Sequence, residues 1–220
     1  MPFATDSFTD SAGTLITAHT SDSGHSWTLH PATGASSNSQ ISNANRFRNG
    51  SSTKIIVAYI NSAPASADYD VQAGLVYKTD QNQVVSVLGR IDTAVDTWIR
   101  FGHFTNSVSH KWQVQESVNG TAVQIGSDSN QTLTVDQEYT AKLSIRGPTV
   151  NVSVDGAAVC GSPITTSVTG AGRAGIHFNA IAMTDSTGTH IDNFSANDAA
   201  PFDAPSPYLV QQAINRAAGW

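Results

Sequence analysis

Short runs of β-branched and aromatic residues alternate with turn residues along most of the chain. Their apolar positions recur with the two-residue period of strands, and almost no stretch before residue 205 has the helical period. The pattern therefore predicts a chain that is almost entirely β. The predicted strands are Thr14–Ala18, Ser26–His30, Lys54–Ile60, Tyr69–Tyr77, Val84–Leu88, Thr97–Phe104, Lys111–Ser117, Thr121–Ile125, Tyr139–Arg146, Thr149–Val154, Gly175–Asn179 and Thr189–Phe194.

Three dipeptides between predicted strands have the chemistry of tight antiparallel turns. They are Asn119-Gly120, Asp155-Gly156 and Gly147-Pro148, whose residues tolerate positive φ or cannot extend a ladder. The strands around residue 147 carry their apolar side chains on one face and polar ones on the other. A sheet with one apolar face must bury it, so we predict an all-β fold, a two-sheet antiparallel jelly-roll β-sandwich over residues 1–198.

The end of the chain breaks this pattern. Residues 199–206 form a proline-containing linker, and residues 207–220 have apolar positions at three- and four-residue spacing, which predicts a short C-terminal amphipathic helix. So short a helix must pack on something, either its own sandwich or another polypeptide. If it binds a partner, the binding residues are Tyr208, Leu209, Val210, Ala213, Ile214 and Trp220.

The composition of the chain limits the classes of partner and the cellular location that we predict for it. Charged residues make up 13% of the chain and the net charge is -6, which disfavours nucleic-acid binding. Residues 1–18 lack the basic and apolar regions of a secretory signal, and no apolar run is long enough for a membrane helix. The single cysteine, Cys160, predicts folding in a reducing cytoplasm as a buried small residue.

Both ends of the predicted sandwich resemble one family. They are similar to concanavalin A-like lectin/glucanase domains, in particular the laminin-G-like modules of bacteriophage virion proteins, over about residues 5–196. The resemblance implies that the first and last strands pair, that the two Asp-x-Phe segments lie close together, and that Trp27 fills the core. The residues that carry it are Asp6-Ser7-Phe8, Gly13-Thr14-Leu15, His19, Asp22-Ser23-Gly24, Trp27, 41–46, 139–145, 150–156, 170–178 and Asp192-Asn193-Phe194.

Catalysis has little support in the sequence. Glucanases of this fold use the motif Glu-x-Asp-x-x-Glu, but this chain has only two glutamates, and Glu116 has no acidic neighbour on its own strand. No metal ligand set is predicted. Asp192 and Asp6 leave two interpretations open, a calcium site or carboxylates that cap backbone amides.

Ligand binding is the remaining chemistry. The two-residue period in Thr97–Phe104 places Trp98, Arg100 and Phe104 on one face, opposite Ile99, Phe101 and His103. Aromatic rings beside polar groups are typical of carbohydrate sites on sandwiches. The predicted ligand-binding residues are Trp98, Arg100, Phe104 and Trp112.

These observations favour a non-enzymatic bacteriophage virion protein, a decoration or tail-associated component that binds host-surface carbohydrate. It would be made in the host cytoplasm, carry no cofactor, attach to other virion proteins through its C-terminal helix, and be displayed as a homo-oligomer or symmetric array. The alternative is a polysaccharide-degrading glycoside hydrolase or lyase in which the same groove is catalytic. A secreted adhesin ranks last, because it would need export without a signal sequence.

Overall fold

The computed structural model describes residues 2–31, 39–51, 53–79, 82–106 and 109–199. Those residues form seventeen strands, all paired antiparallel. The strands are β1 Pro2–Asp6, β2 Trp27–Leu29, β3 Ser39–Ile41, β4 Phe47–Asn49, β5 Ile56–Ile60, β6 Tyr69–Tyr77, β7 Gln83–Ile91, β8 Trp98–Asn106, β9 Ser109–Val118, β10 Thr121–Gln124, β11 Ser129–Asn130, β12 Glu138–Arg146, β13 Thr149–Val154, β14 Ala157–Ala158, β15 Ile164–Thr165, β16 Arg173–Phe178 and β17 Thr189–Asp198.

Two sheets divide these strands. The nine-stranded sheet has the order β14-β13-β12-β6-β17-β4-β3, with β1 on β17 and β15 on β13. The eight-stranded sheet has the order β10-β9-β8-β7-β16-β5-β2, with β11 on β9. The sheets bury their apolar faces against each other, which confirms the prediction of a two-sheet antiparallel sandwich.

The predicted meander shows how the alternation builds this core. In β12 and β13 the apolar side chains alternate with partly exposed polar ones, and each fully buried aliphatic side chain contributes roughly 1.5–3 kcal/mol. The buried set is Leu143, Ile145, Val150, Val152 and Val154. The predicted hairpins are also present, with Asn119 at φ 51°, Gly120 at φ 80°, Asp155 at φ 50° and Gly156 at φ 82°.

The two ends of the sandwich meet as the resemblance implies. In β1, Asp6 lies opposite Phe194 of β17. Trp27 is 2% exposed, and its ring centroid lies 5.0 Å from that of Phe194 and 5.8 Å from that of Phe8. Trp27 therefore fills the core, as predicted.

One predicted strand is wrong. Thr14–Ala18 is a turn segment that makes a single bridge, between Leu15 and Gln40, and the His19 amide donates back to the Leu15 carbonyl. The edge strand on the last strand is instead β1, which precedes this segment in the chain. The segment bonds to β3 only briefly, around Leu15, and the chain then turns, so a local alternation of apolar and hydroxyl residues was not enough to make a strand.

The described residues end at Ala199, directly after β17. The predicted linker beyond that position and the predicted helix over 207–220 lie outside them. Across the described part of the chain, no helix is long and apolar enough to cross a membrane. Cys160 is buried, as predicted, and burial raises the pKa of its thiol to about 11.

Candidate functional site

The candidate site lies on the outer face of the eight-stranded sheet, the face turned away from the sandwich core. In β8 the side chains of Ile99 and Phe101 enter the core, while Trp98, Arg100 and Phe104 point outward. The sequence predicted this division. The structure thus brings three of the four predicted ligand-binding residues together.

Arg100 is the centre of the cluster. Its guanidinium carbon lies 5.0 Å from the centroid of the Trp98 ring and 5.2 Å from that of Phe104, within cation–π range of both. One terminal nitrogen donates to Nε2 of His177 at 3.0 Å, and the other donates to Oε1 of Gln115. These contacts hold the guanidinium in one position on the sheet.

Burial sets the charge state of this pair. It disfavours the charged form of Arg100 and lowers the pKa of its guanidinium to about 10, although Asp96 acts in the opposite direction. Arg100 is therefore still charged at neutral pH. Burial, together with the nearby Arg100 charge, holds the pKa of His177 well below its usual range. The imidazole is neutral, and because its Nε2 accepts from Arg100, its Nδ1 carries the proton.

A row of amide side chains continues from Arg100 across β9 and β10. Gln115 donates to Gln113 at 3.4 Å, and Gln113 donates to Oε1 of Gln124 at 3.0 Å. Asp128 ends the row and accepts from Gln113 at 2.7 Å and from Gln124 at 2.9 Å. Such a network fixes the amide orientations, so the remaining donors and acceptors point in set directions.

An open cleft of about 260 Å³ adjoins Arg100 at the other end of the row. Trp98 forms one wall; its ring is 4% exposed and its indole nitrogen donates to Oδ1 of Asp96 at 2.7 Å. Gly120 and Ala122, from the β9–β10 hairpin, also line the cleft with little or no side chain. The lining residues are Ile55, Val57, Asp96, Trp98, Arg100, Ser117, Gly120, Ala122 and His177.

The prediction for Trp112 is wrong. Its side chain is 0% exposed and faces the core, where it packs on Phe101 and His103 and donates to Oε1 of Gln131 at 2.6 Å. No ring face is left for a ligand. The sequence of β9 could have shown this, because the polar residues at 113, 115 and 117 share one face of the strand and therefore place Trp112 on the other.

Five polar residues of the outer face were not predicted from the sequence. They come from β7, β9, β10 and β16, so only the register of those strands with β8 brings them beside Arg100. The alternation in β9 was the available signal for the two on that strand. The five are Ser86, Gln113, Gln115, Gln124 and His177.

The two glutamates lie on different sheets and form no catalytic pair with each other. Glu138 begins β12 in the nine-stranded sheet, and Glu116 lies in β9 of the other. Glu116 is 7% exposed and accepts from Thr166 Oγ1 at 2.6 Å, from Ser167 Oγ at 2.8 Å and from the Ser167 amide at 2.9 Å. Burial alone would raise the pKa of Glu116, but these hydrogen bonds outweigh it and lower the pKa. Glu116 therefore links β9 to the segment after β15.

Asp6 and Asp192 are both engaged by protein donors. Asp6 accepts from the Phe8 amide at 2.7 Å and from the indole of Trp27 at 2.6 Å, and Asp192 accepts from the Asn193 amide at 2.8 Å. Among the residues that the structure describes, no group of three or more His, Cys, Asp or Glu side chains is arranged to hold a metal ion. The contacts match the interpretation of these carboxylates as amide caps.

The predicted partner-binding residues lie beyond residue 199, outside the described residues. They are Tyr208, Leu209, Val210, Ala213, Ile214 and Trp220. Their role stays a prediction.

No protein-family model and no curated protein matches this sequence. Solved structures share its fold. The carbohydrate-binding module CBM66 from Bacillus subtilis matches with a TM-score of 0.55 at 15% identity, over 78% of this chain and 95% of that one. The exoplasmic/lumenal domain of VIP36 in its Ca²⁺-bound form matches with 0.55 at 10% identity, over 88% and 92%.

A third similar structure comes from work on endo-acting O-glycanases with which prominent members of the human gut microbiota initiate mucin breakdown. It matches with a TM-score of 0.59 at 8% identity, over 91% of this chain and 100% of that one. At such identities the likeness shows the fold, a β-sandwich of lectin-like jelly-roll type, and leaves the function to be argued from the site.

Proposed function

We propose that this protein is a non-enzymatic carbohydrate-binding module whose site is the outer face of the eight-stranded sheet. The observation that carries the proposal is the arrangement around Arg100: a guanidinium held between the rings of Trp98 and Phe104, beside a row of oriented amides and an open cleft. The shared fold with a carbohydrate-binding module supports it.

The chemistry of this face suits a sugar. Sugar rings present apolar C–H patches, which pack on aromatic rings, and hydroxyls, which both donate and accept hydrogen bonds. Phe104 is partly exposed and supplies ring surface, while Gln115 and Arg100 supply polar groups beside it. Because these groups are held before a ligand arrives, little ordering entropy is lost on binding.

The spacing of carboxylates on this face disfavours hydrolysis. Asp96 lies beside Ser117, whose hydroxyl donates to its carbonyl, and Asp128 lies beside Gln113. Ser117 and Gln113 are four positions apart on β9, a separation of roughly 13 Å. Glycosidases hold their two carboxyl groups about 5–10 Å apart. A catalytic pair built from these two aspartates is therefore too wide.

The test is a glycan array probed with the wild-type protein and with Phe104→Ala and Gln115→Ala. We expect the wild type to bind a subset of glycans and each variant to lose at least about tenfold in affinity, equivalent to about 1.4 kcal/mol. Gln72→Ala is the matched control, because Gln72 is a partly exposed glutamine in β6 of the other sheet. Its binding should equal that of the wild type.

Two results would contradict the proposal. One is an array without any bound glycan. The other is release of shortened product from a bound glycan by the wild type, which would assign the face to a glycoside hydrolase or lyase instead.

The second part of the proposal concerns the assembly in which the protein binds glycans. We propose that the protein is a virion component that presents this face to host glycans in many copies, with residues 207–220 bound to another virion protein. The resemblance to laminin-G-like modules of bacteriophage virions suggests it, and repeated display would raise the avidity of weak sugar contacts. Mass spectrometry of purified particles tests it, since absence of the chain from them would refute the assignment.

A further inference from the structure

We propose that the glycan bound at this face carries a carboxylate, as a uronic or sialic acid residue does, and that Arg100 is the group that binds it. The inference rests on the proposed function and adds the class of ligand. It is carried by the contrast between Arg100 and four other arginines of the described residues, and by the donors that Arg100 keeps unused beside an open cleft.

Four other arginines of the described residues each form an ion pair with an aspartate of the protein. Arg90 is 1% exposed, and its guanidinium contacts the carboxylate of Asp68 at 3.2 Å and donates to the carbonyl oxygens of Ala67 and Val168. The same holds for pairs at the surface, namely Arg46 with Asp192, Arg48 with Asp185 and Arg146 with Asp70.

Arg100 has a different set of partners. Both groups that accept its hydrogen bonds, the Gln115 amide and the neutral His177 imidazole, are uncharged. Asp96 lines the same cleft, but its Oδ1 accepts the Trp98 indole and forms no ion pair with Arg100 in the described structure. Arg100 is partly buried, and a charge whose hydrogen-bond acceptors are all neutral is stabilised further by an anion that binds it directly.

The unused donors fit a carboxylate. A guanidinium has five N–H groups, and Arg100 gives two of them to protein acceptors, so three remain. Its Nε has no partner among the described residues but is closed to solvent, so the unused N–H groups of the two terminal nitrogens are the ones left for a ligand. Planar carboxylates match the fork of a guanidinium and are held by two parallel hydrogen bonds. The rings of Trp98 and Phe104 keep water away from the charge and strengthen such a pair.

Matched pairs of glycans test the inference by titration calorimetry. One pair is an oligogalacturonate and its methyl ester, and the other is sialyllactose and its methyl ester, so the members of each pair differ only in whether the carboxyl group is free. We expect the acidic member of one pair to bind at least about tenfold tighter than its neutral partner, and the pair that responds identifies the source of the acid. The preference should fall as salt is added.

Arg100→Gln should abolish the preference, so that the acidic and neutral members of a pair bind within about twofold of each other, while Arg100→Lys, which keeps the charge without the planar fork, should retain part of the preference. Lys78→Gln is the control for loss of one positive charge, because Lys78 lies after β6 of the other sheet and pairs with exposed Asp136. Thermal melting of each variant establishes that it is folded.

The outcomes separate the two proposals. If neutral and acidic members bind equally well, or if the acidic preference survives in Arg100→Gln, the carboxylate inference is refuted and the carbohydrate-binding module stands. If the wild type binds no glycan of either kind and none on the array, the proposed function itself fails.

Discussion

Replacing Glu116 by glutamine removes one negative charge from a buried position while keeping nearly the same volume. Three donors surround the carboxylate at 2.6–2.9 Å, two hydroxyls and one backbone amide. A hydrogen bond to a charged group contributes about 1.5–3 kcal/mol, and glutamine keeps one of the two acceptor oxygens. We therefore expect Glu116→Gln to lower the free energy of unfolding by about 1.5–3 kcal/mol at pH 7.

Urea denaturation followed by tryptophan fluorescence measures this loss, with the m-value unchanged. The chain supplies its own control, since Glu138 is exposed and accepts only weak bonds from Asn193 at 3.2 and 3.4 Å. Glu138→Gln should change the free energy of unfolding by less than about 0.5 kcal/mol. Glycan binding should be the same in both variants, because neither residue lies on the outer face of the eight-stranded sheet.

The pH dependence gives the sign of the effect. The folded-state pKa of Glu116 is lowered from its usual 4.5, so the stabilisation is present above pH 4.5 and is lost as the pH falls through the folded-state pKa. The difference between the wild type and Glu116→Gln should therefore shrink in acid. A difference that stays constant down to about pH 2, or one below about 0.5 kcal/mol at pH 7, would refute the assignment of Glu116 as a hydrogen-bonded link.

Three further predictions follow from other parts of the fold. His19 lies between two carboxylates at 2.9 and 3.1 Å, which raise its pKa above 6.5 against the effect of burial. The stability lost in His19→Gln, measured by urea denaturation, should be greatest below pH 6.5, and its charge-dependent part should disappear as the pH rises through the raised pKa. Arg90→Met should lower the free energy of unfolding by about 3–5 kcal/mol and Arg100→Met by less than about 1, by the same assay, and equal losses would make Arg100 a structural residue. Deletion of 205–220 should leave the melting temperature of the sandwich unchanged and abolish incorporation into particles, and a truncated protein that still incorporates would refute the anchoring role.

Local chemistry explains which parts of the fold were predictable. The Asn119-Gly120 and Asp155-Gly156 hairpins were predictable because positive φ has a low energetic cost in those residues. Which side chains of β8 and β13 face the core was predictable from the two-residue period of strands. Thr14–Ala18 has the same local features, yet its pairing with β3 stops at one bridge, and the amides of Ala18 and His19 then donate to the Leu15 carbonyl in a turn.

The candidate site was predictable only where it lies within one strand. Trp98, Arg100 and Phe104 all belong to β8, so alternation alone groups them. His177 reaches Arg100 because β16 pairs with β7, and β7 pairs with β8, a register between segments far apart in the chain. The neutral partners and unused donors of Arg100 result from this pairing of distant strands, so they cannot be predicted from the local sequence.

The two outer faces of the sandwich differ in a way that bears on function. On the nine-stranded sheet, Lys142 and Arg146 both lie 2.9 Å from Asp70 and are partly exposed, as expected for a solvated surface. On the eight-stranded sheet, Ser86, Gln113 and His177 are almost fully buried, and Ser86 Oγ, Arg100 Nε and His177 Nδ1 have no hydrogen-bond partner among the described residues. Buried polar atoms without partners cost about 1–3 kcal/mol each, a cost that apolar side chains would avoid. Ser39 Oγ and His190 Nδ1 of the nine-stranded sheet are also without a hydrogen-bond partner among the described residues. The outer face of the eight-stranded sheet differs because Arg100 and His177 line an open cleft, where departures from the folding rules are expected at a site.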